Sequence, residues 1–271
     1  MMLEVQISTY GASGLMRVAS MELPSLSDVM FTICLQAPES EQINIPENLQ
    51  RKDIRILRHD SKGLSINRNF GIDNAVGEIV LLADDDLNYT PEGLKTVLKT
   101  FQADSALDFA TFRHRGGDNK KFPPESFEFS ISKREPSGYY LTSFELAFRR
   151  DSLPESIRFS PLLGIGAPFF GSGEENVFLR RMVHSGLNGR YIPEEIVSHL
   201  SLTTGSRYPS PAVLRAQGAW FWIRYGFFEG FLRLLRDSPR RHTYYFRAAR
   251  FMISGFFASR RLFCRDGSER S

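Results

Sequence analysis

Four apolar runs of strand length occupy the first part of the chain, and each closes on polar residues. They are LEVQIS, which closes on Ser8, Thr9 and Tyr10; DVMFTICLQ, on Gln36; DIRILRHD; and EIVLLADDD, on Asp84, Asp85 and Asp86. After the third run, GLSINRNFGIDNAVG spaces Leu64, Ile66, Phe70, Ile72 and Ala75 as a helix would, with Gly77 as its stop. After the fourth, TPEGLKTVLKTFQAD predicts a helix with Thr90 as N-cap and Pro91 in its first position. Near-continuous apolar strands suit a sheet covered on both faces. Their alternation with helices predicts an α/β fold with a mostly parallel sheet. Such sheets bind ligands at the carboxyl ends of their strands, where the hydroxyls, Gln36 and the aspartates all fall.

The pattern loosens between about Leu107 and Pro168. DFATFRHR, FEFSIS and SFELAFRR predict strands of a small mixed or antiparallel extension, and GSGEENVFLRRMVHSGLNGRYIPEEIVSH predicts a loop, a helix and a short strand. TTGSRYPSP is the one boundary-like stretch. The expected division is therefore a catalytic domain over 1–205, split near 105 into two halves, and a separate segment over 206–271. At 271 residues the chain has room for one large domain and an appendage.

Two carboxylates at a strand end can hold a divalent cation, and the cation can neutralise a diphosphate; Mg²⁺ and Mn²⁺ take oxygen ligands of this kind. In an extended chain Asp84 and Asp86 point the same way and Asp85 points away as a spacer. A polar loop with Asp at turn positions explains the same residues without any ligand.

GLSINRNFGIDNAVGEIVLLADDDLNYTPEGL resembles the donor-binding segment of the family 2 glycosyltransferases of the GT-A fold: a Gly-x-Ser-x-x-Arg-Asn helix, an Ala-x-Gly-Glu, an apolar strand and a D-x-D. GSGEENVFLRRMVHSGLNGRYIP resembles that family's acceptor-side segment, and IVSH its late metal-binding histidine. The resemblance covers roughly residues 3 to 205. It implies a Rossmann-like GT-A domain and an inverting, non-processive transfer of a sugar from a nucleotide diphosphate, a UDP-sugar by preference. It implies that Ser8, Thr9, Tyr10, Gln36, Arg68, Asp84 and Asp85 lie on the nucleotide-sugar side, and that Asp86 and His199 hold Mn²⁺ or Mg²⁺. Glu175 would be the catalytic base, with Glu174 binding acceptor or orienting the loop. Two departures stand out: Gln36 replaces the usual Asp that reads uracil, and Glu175 replaces the usual Asp base. Arg207 is a further phosphate candidate. His59, His114, His184 and His242 read as structural or surface residues.

Beyond Pro211 the chain turns basic and aromatic. It carries twelve arginines against four acids, with Trp, Phe and Leu at helical spacing. Amphipathic C-terminal helices on an anionic membrane are one reading, suited to a lipid-linked acceptor; helices packed on the catalytic domain are the other. The aromatics are too Phe- and Leu-rich for a base-stacking groove, so no nucleic-acid partner is expected. Arg224, Glu229 and Arg233 interrupt the longest apolar stretch, so no membrane span is expected. The N-terminus lacks the pattern of a signal peptide, and two distant cysteines suit a reducing compartment. The expected location is cytoplasmic, peripheral on the inner membrane face. The expected role is in surface polysaccharide or glycolipid synthesis. A nucleotidyltransferase, or a membrane-binding protein without activity, are the alternatives.

Overall fold

The computed structural model describes residues 1–116, 122–131, 135–136, 139–199, 210–241 and 245–263, and side chains within these except 237–241, 245–247 and 260–263. The stretch around Arg207, His242 and Cys264 lie outside them. The chain divides into two compact units. The first takes Met1–Lys62, Ile66–Phe159 and Phe178–Thr203; the second takes Gly63–Ser65, Ser160–Val177 and Thr204–Ser271.

Among the described residues the first unit is built on a nine-stranded sheet. The four apolar runs become β1 (Leu3–Tyr10), β2 (Val29–Gln36), β3 (Ile54–His59) and β4 (Ile79–Asp84). They lie side by side in the order β3-β2-β1-β4, all parallel. Beyond β4 the sheet turns mixed. β8 (Leu146–Arg149) runs antiparallel to β4 and to β6 (Phe109–Arg115), and β6 runs parallel to β9 (Gly189–Ser198). Two short strands, β5 (Asn88–Tyr89) and β7 (Phe127–Glu128), pair antiparallel with β9. The mostly parallel sheet with a mixed extension is as the sequence predicts.

The helices follow the chain's local chemistry. α3 (Pro91–Ala103) starts at Thr90, whose hydroxyl accepts the Gly93 N–H at 3.1 Å, and it buries Leu94, Val97, Leu98 and Phe101. α1 (Gly11–Ala19), which the pattern did not single out, opens on Gly11 at φ 67° and buries Leu15 and Val18. α2 spans Leu64–Asp73 and stops short of the predicted end at Gly77. The reason is a buried carboxylate. Glu4 accepts the N–H groups of Val76 and Gly77, each at 2.6 Å, and the Gln6 amide at 3.1 Å. Those bonds hold the backbone ahead of β4 in a loop and satisfy a charge that burial alone would make costly. On β2, burial and the nearby Glu4 push the Cys34 thiol up to about 12.

The extension departs from prediction in two places. Among the described residues of FEFSIS the regular strand is Phe127–Glu128, and Phe127 and Phe129 join Tyr139 and Tyr191 in an aromatic cluster with centroids 5.0–5.9 Å apart. SFELAFRR starts as a 3-10 turn at Ser143–Glu145 and becomes a strand only at Leu146.

In the second unit, α5 (Pro211–Arg241) and α6 (Tyr245–Phe263) pack on the 160–177 segment. Leu163, Phe170 and Val177 share one core with Ala216, Ala219 and Ile223. α5 bends sharply at Gly226, where φ is 71° and ψ is −170°. Its halves come so close that a Cβ on Gly230 would lie 2.5 Å from the Phe221 carbonyl oxygen. No described helix is long and apolar enough to cross a membrane. The Gly226 backbone is nearly reserved for glycine, so Gly226→Ala is expected to cost about 1–3 kcal/mol. Urea unfolding of the full chain would measure it; an unchanged midpoint would mean that the bend is not fixed by this residue.

Candidate active site

Register sets the carboxyl edge of the parallel strands. Tyr10 lies beside Gln36, Gln36 beside His59, and Ser8 beside Asp84. Ser8, Thr9 and Gln36 are buried, while Tyr10 is 49% exposed at the strand end. Polar side chains brace this edge. The Gln36 amide donates to Ser61 Oγ at 2.8 Å, and Ser61 Oγ lies 3.0 Å from His59 Nδ1. His59 Nε2 lies 2.9 Å from Asn67 Oδ1, and the ring stacks on Phe70 at 4.0 Å. From α2, the Asn67 amide donates to the Cys34 and Thr9 carbonyls at 2.8 and 3.3 Å, tying the ends of β1 and β2 together.

The three aspartates have three different partners. Arg68, also on α2 and only 3% exposed, donates from Nη2 to Asp84 Oδ1 at 2.9 Å and to Ser143 Oγ at 2.6 Å. Asp85 takes a bidentate grip from Arg17 on α1, Nε to Oδ1 at 3.1 Å and Nη2 to Oδ2 at 2.7 Å. It also accepts the Thr9 hydroxyl at 2.6 Å. The hydrogen bond to Asp85 raises the Arg17 guanidinium above its ordinary pKa. Asp86 Oδ2 faces His199 Nε2 at 3.2 Å, across 113 positions of sequence. The expectation that Asp85 is an outward spacer is corrected. β4 ends at Asp84, so strand alternation ends there too, and the next side chain turns back across β1 toward α1.

β9 delivers His199. The ladder between β6 and β9 shifts register around Arg113 and His114, and the His199 N–H then donates to the Arg115 carbonyl at 2.9 Å. The imidazole is buried and lies parallel to the Phe144 ring at 5.6 Å, whereas the Asp86 side chain is 41% exposed. Among the described residues no group of three or more His, Cys, Asp and Glu side chains is arranged to hold a metal.

Glu174 and Glu175 open α4 (Glu174–His184), where free N–H groups and the helix dipole favour acids. Both belong to the second unit. Glu174 is buried, and a Cβ on Gly164 would come within 3.1 Å of its carboxyl carbon and 3.2 Å of Ser65 Oγ. Gly164 stands at φ 101°, so both backbone and space there call for glycine. Glu175 is partly exposed, and its Oε1 accepts the Asn176 amide at 3.0 Å.

Sequence reasoning did not single out Arg17, Ser61, Asn67, Ser143 or Glu145. Each meets its partner through the fold, from 25 to 75 positions away in three cases, and no local motif announces that. His114, taken as structural or surface, is buried 2.7 Å from Glu145 Oε1.

Residues 39–157 match the family described as Glycosyl transferase family 2. That match spans less than half of the chain and takes in α2, β4 and the three aspartates. The chain also resembles solved structures of S. aureus TarS. Residues 1–349 of that protein match at 16% identity and TM-score 0.56, covering 98% of this chain and 73% of that one. The same piece in complex with UDP matches at 16% and 0.56, covering 87% and 69%. The structure titled simply S. aureus TarS matches at 16% and 0.51, covering 88% and 42%. Likeness at this identity speaks for the fold, which is GT-A. A search of curated proteins finds no match.

Arg68→Met would keep the length of the side chain and remove its charge, leaving Asp84 and Ser143 without this donor. The expected loss is about 2–4 kcal/mol of stability, since one partner of a mostly buried ion pair is deleted. Urea unfolding with the midpoint unchanged would show that the Arg68–Asp84 contact does not brace the site.

Proposed function

We propose that this chain is a metal-dependent, inverting glycosyltransferase that takes a sugar from a nucleotide diphosphate, a UDP-sugar, and passes it to a glycan or lipid-linked acceptor. The reaction would serve surface polysaccharide or glycolipid synthesis. The observation that carries the donor half is the facing pair of Asp86 and His199 beside the carboxyl ends of the parallel strands. A carboxylate oxygen and a neutral imidazole nitrogen are donors that Mn²⁺ accepts, and Mg²⁺ with more emphasis on oxygen. Beside these two protein groups, substrate phosphates would complete the shell, as is usual for these cations. When bound, the cation acts as a Lewis acid and neutralises the departing diphosphate. The UDP complex of a protein with this fold supports the choice of nucleotide.

The chain's own residues divide the remaining work. Tyr10, exposed at the end of β1, would stack on the base, and neighbouring Gln36 would read its edge, since an amide both donates and accepts. Asp84, held by Arg68, would bond the ribose; Ser8, Thr9 and Asp85 would shape the floor beneath it. Glu175 would take the proton of the acceptor hydroxyl as that oxygen bonds to the anomeric carbon. The bond from that carbon to the diphosphate oxygen breaks with its electron pair left on the phosphate, and configuration inverts in one displacement. Buried Glu174, with the close backbone at Gly164, would orient the loop that meets the acceptor.

The second unit supports an anionic membrane as the place of action. Just past the Gly226 bend, Phe228 is 82% and Leu232 67% exposed, with Phe227, Leu235, Ile253 and Phe257 exposed as well. Phe227 touches both Phe228 and Phe257, at 5.3 and 6.3 Å between centroids, so these three rings form one group. Arg236 and Arg250 are exposed on the same helices, and the acid Glu229 is paired with Arg233 at 2.8 Å. Apolar side chains in the acyl boundary with arginines among headgroups is the chemistry of a peripheral anchor. The reading places the enzyme on the cytoplasmic face.

Thermal melting with nucleotide diphosphates tests the donor reading. UDP with Mn²⁺ should raise the transition, and UDP with EDTA should do so less; no shift with any nucleotide would overturn it. Glu175→Gln should abolish transfer, a loss of at least about a hundredfold for a general base, with UDP binding intact. Full activity would remove Glu175 from that role. For the membrane, Phe228→Asp with Leu232→Asp should weaken co-sedimentation with phosphatidylserine vesicles about tenfold or more. Unchanged binding would refute the anchor.

A further inference from the structure

Three consecutive residues, Ser143, Phe144 and Glu145, form one buried 3-10 turn, and each meets a different part of the site. Ser143 Oγ accepts Arg68 Nη2 at 2.6 Å, and the same nitrogen donates to Asp84 at 2.9 Å. The hydroxyl therefore fixes the direction from which the guanidinium reaches the aspartate. The Phe144 ring lies nearly parallel to the His199 imidazole, 15° apart in plane with centroids at 5.6 Å, on the histidine that faces Asp86. A stacked ring restricts rotation of the imidazole about its own axis. Glu145 locks the turn: one oxygen lies 2.7 Å from His114 Nδ1 on β6, and the other accepts the Thr142 N–H at 3.0 Å. Phe144 meets the edge of the same His114 at 5.1 Å and 76°.

We infer that the Ser143–Phe144–Glu145 turn is the positioning element of the donor site, aiming Arg68 at Asp84 through Ser143 and setting the plane of His199 through Phe144. This rests on the donor reading given under the proposed function. None of the three residues need touch substrate. Each acts through a residue that would, and the turn links the ribose side of the site to the cation side in a single rigid segment. Glu145 and His114 serve it by satisfying each other in a place water does not reach, where an unsatisfied partner would loosen the turn.

The test separates positioning from simple bracing. UDP affinity of the full chain is measured by calorimetry, in Mn²⁺ and in EDTA, beside the melting temperature. Phe144→Leu is expected to weaken Mn²⁺-dependent UDP binding about tenfold, the scale of residues that orient metal ligands, and Phe144→Tyr, which keeps the ring, to retain it. Ser143→Ala, too small a change to prevent folding, is expected to weaken UDP binding about fivefold in either buffer, as the loss of one hydrogen bond would. Phe144→Leu and Ser143→Ala binding UDP as the wild type does, with only the melting temperature lowered, would reduce the turn to a structural brace and overturn the inference. A wild-type chain that binds no UDP in Mn²⁺ would instead overturn the donor reading, and this inference with it.

Discussion

Three carboxylates in a row repel one another, and the carboxyl end of β4 exists in this form because each has its own counterpart. Two like charges about 6 Å apart at a protein surface cost roughly 3 kcal/mol at an effective dielectric of 20. Three neighbours would cost more than a short strand end can absorb. The chain solves this by sending each side chain in a different direction: Asp84 to Arg68 on α2, Asp85 to Arg17 on α1, Asp86 to His199 beyond β9. The first two are charge-assisted pairs with permanently cationic guanidiniums. The third is met by an imidazole, whose charge is not permanent, and by solvent. Of the three, Asp86 is the most exposed.

That arrangement requires the sheet to have its particular order. With β1 and β4 adjacent and parallel, the end of β1 lies alongside the aspartates, so Thr9 can reach Asp85 and α1 can return Arg17 to the same point. With β8 antiparallel to β4, the turn that enters β8 lies near the end of β4, and Ser143 falls within reach of Arg68. The irregular register between β6 and β9 then carries the chain to His199. Parallel pairing on one side of β4 and antiparallel pairing on the other is therefore what lets residues from five elements converge on one strand end.

Much of this was legible in the sequence, and the exceptions share a cause. The four buried strands, the Thr90 cap and the aspartates at a strand end are local patterns, and local patterns survive in a sequence. The link between Asp86 and His199 came from a resemblance, because nothing in the sequence between them, 113 positions apart, announces it. Helix α1 was overlooked because Gly11, Ser13 and Gly14 weaken any helical signal in its first turn; Gly14 sits against Thr9, where a Cβ would come within 2.2 Å of its hydroxyl, and Gly11 stands at φ 67°. SFELAFRR alternates like a strand, yet its first three residues are held in a turn by a buried histidine on another strand. The outward direction assigned to Asp85 assumed that the strand continues past Asp84, and it does not.

The C-terminal helices show the same dependence of exposure on close backbone contact. Gly218 lies against the Met252 backbone and Gly255 against the Arg215 backbone, where a Cβ would come within 1.9 and 2.0 Å of the facing carbonyl oxygens. Helices that meet so closely leave little room between them for large side chains. Phe221, Leu234, Met252 and Phe256 fill that space. Phe228, Leu232 and Leu235 are exposed beyond the Gly226 bend. Replacing them with polar residues would not disturb the glycine contacts, so the hairpin itself does not require an apolar outer face. The apolar character of that outer face is therefore not accounted for by packing within the hairpin.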